Sequence, residues 1–195
     1  MGRELEWLGD LVHAKRPGHV PVVLTRDEAR AVLSCLEGVP RVVAALLYGA
    51  GLRLLEALQL RAKDVDLARR ELTVRRGKGQ KDRRTVLPGV LVEPLRDQLE
   101  SARAQHGEDI RRGAGFVALP DAIARKYPSA PRDWTWQWVF PATRTYVDRQ
   151  TGQVRRHHLH ESVIQRGVRA AVRAAGISKM ASPHTLRHSF ATHLL

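Results

Sequence analysis

Between residues 63 and 87 the chain changes its period. Val65 and Leu67, then Leu72 and Val74, then Thr85 and Leu87 stand at alternate positions, the spacing of a strand with one buried face. Gly77-Lys78-Gly79-Gln80-Lys81-Asp82 lies between the last two pairs and reads as a hairpin turn. A short antiparallel sheet is therefore expected within a chain whose longer stretches follow helical spacing. From Arg61 to Arg84 there are ten Lys and Arg against four Asp and Glu, a net of +6. A basic hairpin tipped by Gly-Lys-Gly can set a lysine against a phosphate backbone, and a solvated charged turn is the plainer alternative. The GxxxxGK[ST] spacing of a P-loop is absent.

The helices announce themselves by their ends. Thr25-Arg26-Asp27-Glu28 fits a capping box, so a helix is expected from Thr25 to about Leu36. Val39-Pro40 opens a second, with the apolar run Val42 to Tyr48 in the core, and Gly49-Ala50-Gly51 breaks it. Cys35 reads as a small core residue of the first helix. A short third helix begins at Arg53, which stands among Leu52, Leu54 and Leu55. A guanidinium among leucines calls for an anionic partner if it is buried, and Glu56 is three residues on; an exposed surface pair is the alternative. Val90–Arg111 carries Val92, Leu95, Leu99 and Ala102 on one face. Leu119–Tyr127 is a short helix stopped by Pro128, and Glu161–Ala175 another, ended by Gly176. Residues 141–160 read as a loop or irregular hairpin turning at Asp148–Gly152. A short helix over Leu5–Ala14 precedes an extended linker, Arg16 to Pro21.

Ser182-Pro183 then starts a last helix, with serine at the cap and proline at the first turn. His184, Arg187 and His188 follow at spacings of three and four and share a face. A helix start favours anions; a guanidinium adds a bidentate fork for phosphate, and an imidazole a group that can hold or give a proton. A surface helix with scattered polar residues is the plain alternative.

Charge points to the partner. There are 33 Lys and Arg against 20 Asp and Glu in 195 residues, a formal net charge of +13. Such a balance favours nucleic acid, with a membrane surface second. No run of about 18 apolar residues exists to span a bilayer, and the first residues carry Arg3, Glu4, Glu6 and Asp10 rather than an apolar leader. One cysteine excludes an internal disulfide and a cysteine-built zinc site. A cytoplasmic protein is the expected setting. A second basic stretch, Arg149 to Met180, holds seven Lys and Arg against Glu161 alone, again +6, and contains Arg155-Arg156-His157-His158. Histidine-rich tracts can bind metal, but no acid or cysteine supports a site here, and no cofactor is expected. Trp134, Trp136 and Trp138 alternate; extended, they would form one row, as core packing or as a stacking surface for bases.

Arg53, Lys78, His184 and Arg187 together would bind one phosphodiester and neutralise its transition state. Their order and setting resemble the tyrosine recombinases, the phage integrase family. The matching stretches are Gly51-Leu52-Arg53-Leu54-Leu55-Glu56-Ala57-Leu58, Gly77-Lys78-Gly79-Gln80-Lys81-Asp82-Arg83, and His184-Thr185-Leu186-Arg187-His188-Ser189-Phe190-Ala191-Thr192-His193-Leu194-Leu195. Ala118 to Ala175 looks more narrowly like the integron integrases, which carry an extra helix. The resemblance implies an α+β, mostly α catalytic-domain fold with a small antiparallel sheet over residues 25–195. Residues 1–24 would be the end of an N-terminal domain or its linker.

The resemblance also implies roles. Arg53 and Arg187 would clamp the scissile phosphate, and Lys78 would protonate the 5′ oxygen, with Lys81 the second candidate. His184 would accept a proton or hydrogen-bond during attack, and Glu56 and His188 would support the site. Lys81, Arg83, Trp136, Arg155, Arg156, His157 and His158 would meet DNA, with Trp136 and the two histidines stacking on bases pushed out of a folded single-stranded site. The family's nucleophile is a tyrosine well beyond His-x-x-Arg, whereas Tyr48, Tyr127 and Tyr146 all precede it. The chain is therefore expected to be a catalytic domain incomplete at both ends and unable to cleave DNA alone. The complete enzyme would be a tetramer on DNA, and this chain a monomer or weak dimer. A non-enzymatic DNA-binding module and a metal-dependent phosphodiesterase are the rival readings.

Overall fold

The computed structural model describes residues 22–75 and 82–194. The helix expected at Leu5–Ala14, the linker after it, and Lys78 and Lys81 lie outside the described residues. Four of the helices form the core. They are α1 (Arg26–Ser34), α2 (Gly38–Gly49), α6 (Glu161–Ala174) and α7 (Pro183–His193). The apolar α2 is the centre: Val43, Ala44, Leu46 and Leu47 are buried, and it packs against α1, α6, α7 and the short α3 (Leu54–Leu58). Helix α6 answers with Ile164, Val168, Ala171 and Val172, one stripe at spacings of three and four. Each fully buried Leu or Ile here contributes about 1.5–3 kcal/mol relative to exposure.

The caps set the helix ends where the sequence puts them. Thr25 Oγ1 accepts from the Glu28 backbone N–H at 3.1 Å, and the Thr25 N–H donates to Glu28 Oε2 at 2.7 Å, the reciprocal pair of a capping box. The Ser182 N–H donates to Thr185 Oγ1 at the start of α7. Ser189 ties α7 to the beginning of the described chain: its hydroxyl accepts from the Leu24 N–H at 2.9 Å and donates to the Thr185 carbonyl.

The period change of residues 63–87 produces a sheet of three antiparallel strands, β1 (Val65–Asp66), β2 (Glu71–Val74) and β3 (Arg83–Val86). Val74 pairs with Arg83 and Leu72 with Thr85, and the turn expected between these strands lies outside the described residues. Leu72 and Val74 face the core. A long helix, α4 (Val92–Arg111), and a short one, α5 (Asp121–Lys126), follow. The stretch expected as a loop or irregular hairpin is a two-stranded sheet, β4 (Pro141–Val147) with β5 (Val154–His158), irregular between Pro141 and Thr145.

Three expectations need correction. Cys35 is exposed, because it is the residue that caps the C-terminus of α1, past the buried stripe. Trp134–Trp136 is a turn of 3-10 helix, started by Asp133 accepting from the Thr135 N–H, so the three indoles do not form a strand's row. Only Trp138 of the three is buried. Tyr48 is half-buried, not sealed in the core, and its hydroxyl is 2.9 Å from Nδ1 of His193.

Candidate functional site

The first cluster forms at the break between α2 and α3. Gly51 has φ +65°, a left-handed conformation that favours glycine, and a Cβ there would run into the Phe190 ring of α7. This close approach brings the start of α3 against α7, and the Gly51 carbonyl accepts from Arg187 Nη1 at 2.7 Å. Arg53 is the residue before α3, and Glu56 is at its third position. The Arg53 N–H donates to Glu56 Oε2 and its Nη1 to Oε1, both at 2.8 Å. The pair that sequence proximity suggested is therefore made twice, by backbone and side chain. The Glu56 side chain is only 9% exposed.

Two further arginines arrive from distant segments. Arg83 of β3 forms a fork on Glu56, with Nη1 2.9 Å from Oε1 and Nη2 2.8 Å from Oε2. Arg187 Nη1 is 3.6 Å from Oε2. Burial alone would raise the pKa of Glu56, but hydrogen bonds from Arg83 and Arg53 outweigh it and hold the carboxyl at about 2. Burial, then the nearby Arg53, lowers the pKa of Arg187. Three guanidiniums share one carboxylate, leaving a local surplus of two positive charges on half-buried side chains. His184 and His188 are exposed on α7, three residues before Arg187 and one after it. Arg83, expected to meet DNA, is engaged with Glu56 through this fork.

A cleft of about 490 Å³ is lined by Glu56 and also by Arg61, Asp64, Arg75, Trp136, Trp138, His157 and His158. Arg61 holds its wall. Its Nη1 donates to the Trp136 carbonyl at 2.5 Å and its Nη2 to the Ala118 carbonyl at 3.0 Å. Its guanidinium lies 3.8 Å from the Trp138 ring centroid, a cation–π contact. Lys63 Nζ sits over the Trp136 ring at 2.6 Å from the centroid. Burial, and then Arg75, lowers its pKa to about 8. Arg61 and Lys63 were missed in the sequence, although the signal was available: Arg61 repeats the Arg53 pattern, its N–H donating to Asp64 Oδ2 three residues on.

On β5, His157 is exposed and His158 is buried, with ring centroids 4.0 Å apart. His158 Nδ1 is 2.9 Å from the Leu159 carbonyl, which can only accept, so that nitrogen carries the proton. Burial lowers the His158 pKa. Arg156 is buried: its Nε and Nη2 each lie 2.6 Å from an oxygen of Asp109 on α4, and Nη1 donates to the Ala142 carbonyl. It therefore leaves the set of DNA-facing residues. Arg155 is half-buried and donates to Asp148 at 2.7 Å and to Gln153, which braces the hairpin turn. Among the described residues no group of three His, Cys, Asp or Glu is placed to hold a metal ion.

The order of helices and the two small antiparallel sheets are those of a tyrosine recombinase catalytic domain, α+β and mostly α. The same fold is found in the crystal structure of XerA recombinase, at 28% identity and a TM-score of 0.56 over 92% of this chain and 51% of that one. It recurs in XerH recombinase in a post-cleavage complex with a palindromic difH substrate, at 23% identity and a TM-score of 0.57, covering 90% and 42% of the two chains. The chain belongs to the phage integrase family, whose model matches residues 22–195. An integrase/recombinase of Escherichia coli is 49% identical over 98% of this chain and 57% of its own length. The tyrosine recombinase XerA of Thermococcus kodakarensis is 34% identical over 93% and 51%. The chain thus spans little more than half the length of these relatives.

Proposed function

We propose that these residues form the catalytic domain, residues 25–195, of an enzyme for site-specific DNA recombination by phosphodiester transesterification. Residues 1–24 then belong to the end of the preceding unit. The observation that carries the reading is the meeting of Arg53, Arg83 and Arg187 on Glu56, a surplus of two positive charges. A phosphodiester carries one negative charge, and its pentavalent transition state approaches two. A preorganised site with that surplus binds the transition state better than the ground state.

In this scheme a tyrosine hydroxyl attacks phosphorus, the 3′ oxygen of the DNA stays in a phosphotyrosyl ester, and the 5′ oxygen leaves with a proton from Lys78. Arg53 and Arg187 hold the non-bridging oxygens, and His184 takes the proton of the attacking hydroxyl or hydrogen-bonds there. None of Tyr48, Tyr127 and Tyr146 is proposed as the attacker; Tyr48 is already joined to His193. Strand exchange on this plan uses four protomers on DNA, in the cytoplasm.

The finer reading is an integron-type integrase that moves gene cassettes and grips folded single-stranded sites. Its support is the cleft, whose lining brings Trp136 and His157 together with Glu56 of the arginine cluster, Lys63 lying against the Trp136 ring. The test joins these residues to a tyrosine-bearing C-terminal segment and offers nicked suicide substrates. A covalent protein–DNA band is expected on a denaturing gel. Arg53→Ala and Arg187→Ala should each lower its rate by at least about 10²-fold with DNA binding retained. Tight, salt-sensitive binding with no covalent band, or cleavage that survives Arg187→Ala, would favour a non-enzymatic module or a different site.

A further inference from the structure

We infer that Arg83 is a positioning residue of the arginine clamp, acting through Glu56 and not through contact with DNA. This rests on the transesterification reading and assigns within it a residue that the DNA-binding expectation had placed outside the catalytic machinery.

The geometry separates the three arginines. Arg53 offers Glu56 a single guanidinium nitrogen at 2.8 Å, and Arg187 Nη1 lies 3.6 Å from the carboxylate while donating to the Gly51 carbonyl. Arg83 alone commits both terminal nitrogens, one to each carboxylate oxygen. A bidentate fork fixes the plane of the carboxylate as well as its position. That plane sets where Oε2 can receive the Arg53 N–H that starts α3, and so where the Arg53 side chain leaves the backbone. Arg83 belongs to β3, whose partner residue is Val74 of β2, so the fork also ties the sheet to the junction of α3 and α7.

Charge gives a second role. Without Arg83, Glu56 would stand between Arg53 and Arg187 with its carboxylate less satisfied, and it would turn more fully toward those two guanidiniums. The phosphate would then compete with Glu56 for the same donors. With Arg83 in place the carboxylate is occupied, its pKa is held near 2, and Arg53 and Arg187 keep donors for an incoming phosphate. Lysine at position 83 would keep the charge but lose the fork, since an ammonium acts as a point charge.

The experiment compares Arg83→Ala, Arg83→Lys, Glu56→Gln and the double variant Arg83→Ala/Glu56→Gln in the tyrosine-bearing protein. Single-turnover cleavage of a suicide duplex and the salt dependence of DNA affinity are measured separately. Arg83→Ala should slow cleavage by about 10-fold or more with an unchanged slope of log Kd against log salt. Arg83→Lys should recover little of the rate. The double variant should be no slower than Glu56→Gln alone, because the two residues act as one unit. The acid limb of the cleavage–pH profile should move to higher pH in Arg83→Ala, because Glu56 loses the fork that keeps it ionised.

A salt slope flattened by about one phosphate, roughly 0.9, would make Arg83 a DNA contact and overturn the inference. Rate losses that multiply in the double variant would overturn it too. If the parent protein binds DNA but never cleaves it, the transesterification reading fails, and the salt slopes still decide whether Arg83 touches DNA.

Discussion

Replacing Asp109 with alanine should be among the most damaging single changes outside the arginine cluster. Asp109 on α4 and Arg156 on β5 are 4% and 8% exposed. Two nitrogen–oxygen distances of 2.6 Å join them, and the remaining Arg156 Nη1 is taken by the Ala142 carbonyl. Asp109→Ala removes the only carboxylate bonded to this guanidinium among the described residues and leaves its charge buried. Losing one partner of such a buried pair costs about 3–5 kcal/mol, against at most about 1 kcal/mol for an exposed pair. In a domain of this size each kcal/mol lowers Tm by about 2–4 °C, so a fall of about 6–20 °C is expected. Urea and thermal unfolding of the 195-residue chain measure it. The double change Asp109→Leu/Arg156→Met removes both charges and should recover most of the loss, because a buried ion pair is often no better than well-packed apolar groups. A loss below about 1 kcal/mol for Asp109→Ala would show that Arg156 finds solvent, and would return it to the DNA-facing set. The double variant should also keep the parent salt slope for DNA binding.

Trp136→Ala and His157→Ala should weaken binding to a hairpin site with extrahelical bases by about tenfold while changing plain duplex binding little, as measured by titration in parallel; stacking contributes about 1–3 kcal/mol per base. Equal losses on both DNAs would reduce the two rings to packing. Glu56 has a folded pKa near 2, below its ordinary 4.5, so it contributes stability in full above about pH 4.5 and loses it as the pH falls toward 2. Unfolding curves of the parent and of Glu56→Gln should therefore differ most near neutrality and converge toward pH 2, and a constant gap across that window would contradict the assignment. The unjoined 195-residue chain should form no covalent adduct on a suicide substrate, and an adduct mapped to Tyr48, Tyr127 or Tyr146 would refute the proposed chemistry.

The features determined by the sequence alone are those encoded within a few residues. The capping box at Thr25, the Ser182-Pro183 start, the Gly49-Ala50-Gly51 break and the Gly176 stop each satisfy or end local backbone hydrogen bonds, and each appears where the spacing puts it. Arg53 and Glu56 sit one helical turn apart, so their pairing follows from the helix itself. The strand alternation of residues 63–87 likewise carries its own face. What tertiary structure decided is which charges meet. Arg83 reaches Glu56 across 27 positions and Arg156 reaches Asp109 across 47. Nothing in the basic tract Arg155-Arg156-His157-His158 distinguishes a guanidinium that faces DNA from one sealed against a carboxylate. The same holds for Trp134–Trp138, where a 3-10 turn replaced the expected row because Asp133 caps it and Arg61 binds the Trp136 carbonyl from another segment. A charged side chain is buried or exposed according to what the rest of the chain brings to it, and that balance of desolvation against pairing is settled only when distant elements pack.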